Sequence, residues 1–148
     1  MHDVRLETLW NEAPPSTMRF DADRVADLPA RARRYFLHAL SPGAPCSSCA
    51  RLSMHGTIKL GERWVPFEAS QVLRWDRGFV WHAHTRMGGL PVSGADVEID
   101  GVGAMRWKLL GIVPVMSAQG PEITRSAIGR LHAEALWLPA ALLGPEVQ

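Results

Sequence analysis

The chain has 148 residues, of which 47% are hydrophobic and 21% charged, and a formal net charge of +1. That is the size of one ordinary domain, long enough to bury roughly two-thirds of its unfolded surface without a metal or disulfide staple. The composition excludes a disordered or fibrous chain, and the near-neutral charge excludes the broad basic face of a nucleic-acid binder.

Arginine outnumbers lysine fourteen to two, and Ala, Gly and Pro are abundant, as GC-rich coding produces. The arginines are interleaved with Asp and Glu, the pattern of a solvated surface. Asp3, Arg5 and Glu7 interrupt the apolar stretch that a signal peptide would need. The apolar runs Leu109–Met116 and Ala135–Gly144 both fall short of the roughly 18–20 residues that span a bilayer. These features point to a cytoplasmic chain, with Cys46 and Cys49 expected as thiols.

Residues 1–20 read as a peripheral segment. Val4, Leu6, Leu9 and Trp10 allow one or two turns of helix before Ala13-Pro14-Pro15-Ser16 breaks the pattern. Residues 21–148 read as a single α+β domain. In it, Val25, Leu28, Ala32, Tyr35, Phe36 and Ala39 recur at helical spacing and predict a helix over 23–40. The run Ser41-Pro42-Gly43-Ala44-Pro45 ends it.

From Ala50 the apolar period changes to two. Leu52, Met54, Gly56, Ile58 and Leu60 share one face of a strand over 51–60, opposite Arg51, Ser53, His55, Thr57 and Lys59. Strands over 63–75 and 79–87 follow, joined by Asp76-Arg77-Gly78. A weaker strand over 92–99 ends at the hairpin signal Asp100-Gly101, and 102–110 returns from it. Residues 112–119 read as a short edge strand. A last helix runs over 121–138, with Pro121 at its first position and Glu122 at its positive end. An uninterrupted run of strands implies an antiparallel, meandering sheet of five or six strands. The expected layout is half-barrel-like, with the N-terminal and C-terminal helices on the apolar face and the His- and Arg-bearing face towards water.

Several constellations carry potential chemistry. Pro45-Cys46-Ser47-Ser48-Cys49 and His132-Ala133-Glu134 match the strings of zinc deaminases, but in reversed order and on the wrong elements. Cys46-x-x-Cys49 leads into a strand, whereas a redox pair of the thioredoxin type opens a helix. His82-Ala83-His84 places two imidazoles on one side of a strand, with His55 as a third nitrogen if the strands pair suitably; solvated histidines on a polar face are the plainer account. No nucleophile elbow, P-loop or dinucleotide fingerprint occurs. Arg130 and Glu134 are one helical turn apart. As an exposed pair they would contribute only about 0.2–0.5 kcal/mol; buried between helix and sheet they would form a polar site. Trp75, Trp81 and Trp107, with Phe67, Phe79 and Met105, fall on apolar sheet positions, where rings fill a core or line a cavity.

The chain resembles a mostly bacterial family of proteins of unknown function. The residues that carry the resemblance are Leu28-Pro29 leading to Arg34-Tyr35-Phe36, His55-Gly56, Trp64-Val65-Pro66-Phe67 with Ala69 and Gln71, and Gly78-Phe79-Val80-Trp81 with Ala83. Asp96, Gly101-Val102-Gly103, Leu110-Gly111, and Arg130-Leu131 with Glu134, Trp137 and Pro139 continue it. The resemblance implies no catalytic residues and no cofactor. It implies a short or truncated member, because the family is similar but longer, with further strands after the last helix.

The leading reading is a small binding domain that holds an apolar small molecule or lipid on the sheet face carrying Phe67, Trp75, Phe79, Trp81, Met105 and Trp107, with Arg130 and Glu134 as a polar site. One alternative is a protein-interaction domain forming a homodimer through a sheet edge. The other is a metal-dependent enzyme using His82 and His84. No nucleic acid, membrane span or cofactor enters any of these readings.

Overall fold

The computed structural model describes residues 4–144. Alternating apolar and polar residues from Cys49 onward build six antiparallel strands: β1 (Cys49–Leu60), β2 (Arg63–Arg74), β3 (Gly78–Met87), β4 (Leu90–Ile99), β5 (Val102–Leu109) and β6 (Val113–Gln119). They lie side by side in chain order, so each pairs with its sequence neighbour and β1 and β6 form the edges. Asp100 and Gly101 both adopt positive φ, 52° and 78°, which closes the β4–β5 turn expected from the Asp-Gly pair. Three helices, α1 (Val4–Asn11), α2 (Ala30–Ala39) and α3 (Pro121–Glu134), complete an α+β fold.

The register fixes which side chains share a face. Gln71 of β2 lies opposite Leu52 of β1 and Trp81 of β3, and Trp81 lies opposite Asp96 of β4. On this face Ala69, Leu73, Phe79, Trp81 and Ala83 pack with Leu131 of α3 and with Leu138 and Ala141 just beyond it. On the other face, His55, Glu68 and His84 form one cross-strand row.

Of the two helices expected on the apolar face, the one over 23–40 and the last one, the last, α3, covers it, and the first packs in a separate cluster. α1 packs on the opposite, histidine-bearing face, where Leu6 and Leu9 are buried with Val72, Val80, Ala95 and Val97. The strand pattern explains this: at the end nearest α1, β2 and β3 carry apolar residues on both sides, as strands do when both faces are covered, and β4 adds Ala95 and Val97 on the α1 side. Residues 1–20, read as peripheral, therefore supply buried side chains, Phe20 included.

The helix expected over 23–40 is also divided. A 3-10 turn spans Ala22–Val25 and α2 begins at Ala30. Pro29 has no N–H to donate and drives Leu28 out of helical geometry. α2 packs beside the sheet, through a separate cluster of Phe20, Val25, Phe36, Cys46 and Ala140. The last helix ends at Glu134, and 3-10 turns over Ala135–Trp137 and Pro139–Leu143 lead into that cluster. The Tyr35 hydroxyl donates to the Leu136 carbonyl at 2.7 Å and pins the two segments together. Cys46 and Cys49 are both free.

A half-covered aromatic cavity as candidate functional site

α3 crosses the sheet towards one end only. Its first turn rests on β5 at Gly103, where a Cβ would lie 2.7 Å from the Thr124 Cα. The Gly103 N–H donates to Thr124 Oγ1 at 3.0 Å, so a missing side chain and a side-chain hydroxyl together seat the helix. From there α3 passes over β4 and β3, and Glu134 reaches β2. The other end, which carries the β1–β2, β3–β4 and β5–β6 turns, is left open on this face.

The open half contains an apolar cavity of about 250 Å³. Ile58 and Leu60 of β1, Phe67 of β2, and Trp81, Ala83, Thr85 and Met87 of β3 line it, with Val92, Trp107, Val115 and Met116 on the later strands. Ala83 forms its floor, in a row of small residues with Ala69 and Gly94 directly opposite it on β2 and β4. Trp107 lies over Gly94 so closely that a Cβ there would collide with its indole ring. Phe67, Trp81 and Trp107 form a ring wall, with centroids 6.2 Å and 5.8 Å apart along the row. The one hydroxyl in the lining, that of Thr85, is engaged with the Pro66 carbonyl at 2.7 Å.

Behind the indoles, under α3, lies a polar cluster. Arg130 Nε donates to Glu134 Oε1 at 2.8 Å, and Arg130 Nη1 is 3.4 Å from Asp96 Oδ2. The guanidinium sits over the rings of Phe79 and Trp81, 4.7 Å and 5.0 Å from their centroids. Trp107 Nε1 donates to Asp96 Oδ1 at 3.1 Å, and Gln71 Nε2 donates to Glu134 Oε2 at 2.6 Å. Burial pushes the Asp96 carboxyl above the ordinary carboxylate range, and the Trp107 bond and Arg130 charge only partly offset this. Gln71 is fully buried, yet its Oε1 accepts no hydrogen bond. An orphaned buried acceptor of this kind costs about 1–3 kcal/mol.

Of the six ring and thioether residues predicted to bind ligand, Phe67, Trp81 and Trp107 line this cavity. Trp75, Phe79 and Met105 occupy the same face outside it. Trp75 stands against the His132 ring, with centroids 5.7 Å apart, and Phe79 is core beneath Arg130. Met105 faces α3 near Ile123. Arg130 and Glu134 do lie between helix and sheet, with only 28% and 15% of their side chains exposed. The sequence reading missed Asp96 and Gln71 as site residues; the available signal was a carboxylate and an amide at core-facing strand positions.

The histidine-bearing face offers wider depressions, the largest about 680 Å³, bounded by His55, Glu68, His84 and Arg86. They are open and mixed in polarity. The His82 and His84 rings are 4.6 Å apart, but among the described residues no three of His, Cys, Asp and Glu converge as a metal site. The apolar cavity is the better site, because its apolar walls remove ligand surface from water, which is what gives an apolar ligand its affinity.

These features define an α+β protein whose open antiparallel sheet is covered by a helix over part of one face. Residues 18–148 match the model of a family of unknown function, DUF6544, and the chain belongs to that family. No curated protein and no solved structure matches it.

Proposed function

We propose that this domain binds a small apolar or amphipathic molecule, with the apolar part in the cavity between Phe67, Trp81 and Trp107. The observation that carries this reading is an apolar hollow walled by three aromatic rings and open at a mouth beside Met116, next to the sheet surface that α3 covers. A dry cavity of about 150 Å³ already admits benzene, so the larger space here suits a two-ring compound or a stretch of acyl or isoprenoid chain. The polar cluster behind Trp81 and Trp107 holds those two indoles in place, through Asp96 on one and Arg130 on the other.

The test is a titration with the neutral fluorophore N-phenyl-1-naphthylamine. Ala83→Leu fills the floor and should abolish the fluorescence gain. Met116→Trp closes the mouth from an exposed strand and should do the same without touching the core. Undiminished probe binding by both folded variants would overturn the reading. A second reading, pairing of two chains through a sheet edge, draws on β6, an edge strand whose Val113, Val115 and Met116 are about half exposed. Sedimentation velocity distinguishes it, through a dimer that Val115→Glu would dissociate.

A further inference from the structure

The open end of the sheet is unlike the rest of the surface in two respects. First, its turns present apolar side chains to solvent: Trp64 beside the β1–β2 turn is 67% exposed and Ile112 in the β5–β6 turn 75%, with Met87, Leu90, Leu110 and Val113 about half exposed. Large apolar side chains gathered at the turns of one sheet end, rather than scattered singly, mark an interaction site. Second, charge is concentrated there. The chain as a whole carries +1, yet Lys59, Arg63, Arg86 and Lys108 all lie exposed at or next to these three turns; Glu62, the one carboxylate in them, pairs with Lys59 at 3.9 Å and leaves three cations in excess. At the opposite end of the sheet, Asp76, Glu98 and Asp100 are held respectively by Arg74, the Gly101 N–H and Arg77.

We propose that this open end docks on an anionic lipid surface. A tryptophan and aliphatic side chains at turn tips, flanked by cations, suit the boundary between headgroups and acyl chains: the apolar tips enter it and the cations meet the lipid phosphates. A second copy of the chain fits less well, because it would bring the same excess of cations against itself. Lys59, Arg86 and Lys108 project from the histidine-bearing side, whereas Leu60, Met87 and Met116 at the mouth of the cavity belong to the other. The two sets flank the same sheet end, so end-on docking brings the mouth to the lipid boundary, and the apolar ligand is drawn from the acyl layer. This last step rests on the cavity reading; the docking does not.

Cosedimentation with vesicles tests it. The wild-type chain should bind vesicles of phosphatidylcholine containing phosphatidylglycerol, be released by high salt, and leave pure phosphatidylcholine vesicles unbound. Arg86→Gln with Lys108→Gln should weaken partitioning about 30-fold, since each basic residue near such a surface accounts for roughly a fivefold gain. Ile112→Ser with Val113→Ser, confined to the exposed turn and strand edge, should weaken it at least about tenfold. Absence of wild-type binding, equal binding to both vesicle types, or wild-type behaviour of both variants overturns the proposal. So does a stable dimer dispersed by the Ile112 and Val113 changes, which would make a second copy the occupant. Ala83→Leu, buried beneath the cavity and away from the docking end, separates the two ideas: it should lose the naphthylamine probe and keep vesicle binding. Vesicle binding without probe uptake by the wild-type chain would sink the cavity alone, and probe uptake without vesicle binding the docking alone.

Discussion

Replacing Arg130 by Met removes the cation that links α3 to the sheet while keeping most of the stem that packs on Phe79 and Trp81. Three contributions are lost: a charge-assisted bond to Glu134 at 2.8 Å, a longer contact to Asp96 at 3.4 Å, and the guanidinium over two rings. Breaking a fully buried ion pair costs about 3–5 kcal/mol, mostly through the charge left behind. Here the side chains of Arg130, Asp96 and Glu134 retain 28%, 22% and 15% of their exposure, so water screens part of that cost. The expected loss is about 2–4 kcal/mol, read in urea from a lowered midpoint at unchanged slope. In a domain of this size it lowers Tm by roughly 4–16 °C. Adding Asp96→Asn and Glu134→Gln to Arg130→Met should restore more than half of the loss, because the stranded carboxylates are then neutral. A single-variant loss below about 0.5 kcal/mol, the scale of an exposed helix pair, would refute the placement of this cluster between helix and sheet. Failure of the triple variant to recover would refute the electrostatic cause.

Gly94→Ala should cost about 1–3 kcal/mol by overpacking, and it should change the near-ultraviolet circular dichroism as Trp107 is displaced; unchanged spectra would show that the indole does not rest on Gly94. Leu9→Ala should destabilise by about 2–5 kcal/mol if α1 is an integral layer, whereas a loss of a few tenths in urea unfolding would return it to the periphery. The folded Asp96 carboxyl lies above its unfolded value, so the native state binds the extra proton between the two. Its contribution to stability is complete below the unfolded value of about 3.9 and is lost as pH rises through the folded value. Asp96→Asn should flatten that fall in the urea midpoint, and matching profiles for wild type and variant would remove Asp96 as its source.

The strands were legible because period-two alternation, Asp-Gly and Gly-Gly turns act locally; every strand lies within two residues of its expected bounds. The helices were less legible. Helical spacing runs through Val25 and Leu28, and only the restriction that Pro29 places on its predecessor divides the segment. The segment of α1 reads as peripheral because Leu6 and Leu9 need a partner that the sequence does not name. That partner is the second apolar face of β2, β3 and β4, formed by Val72, Val80, Ala95 and Val97. In the cavity, period alone puts Trp81 and Phe79 on one face. Which of them meets empty space depends on where α3 crosses, a tertiary matter. Gln71 and Asp96 stood among the residues that carry the family resemblance, but nothing in their spacing shows that both meet Arg130 and Glu134.

The cavity and the polar cluster have one origin in the path of the chain after β6. Gly103 admits the α3 backbone near one end of the sheet, so the helix must cross there. Its apolar stripe, including Ala127 and Leu131, then covers Leu73 and Phe79 but cannot reach Phe67 or Val92. Helical geometry ends at Glu134, and Tyr35 and Pro139 direct the following turns towards Phe36 and Phe20, away from the open half. The rings of Trp81 and Trp107 stand at the boundary of covered and open sheet. Each has a polar or charged partner on the helix side and apolar space on the other. A ligand pressing on either indole therefore acts on Asp96 or Arg130, and through them on the seating of α3. Occupancy of the cavity and stability of the helix are thus linked: a ligand that binds only the folded chain must raise its unfolding midpoint, and Arg130→Met must reduce affinity for the naphthylamine probe as well as stability. If the variant is destabilised yet binds the probe as tightly as the wild type, the indoles are held without Arg130, and the cluster serves the core alone.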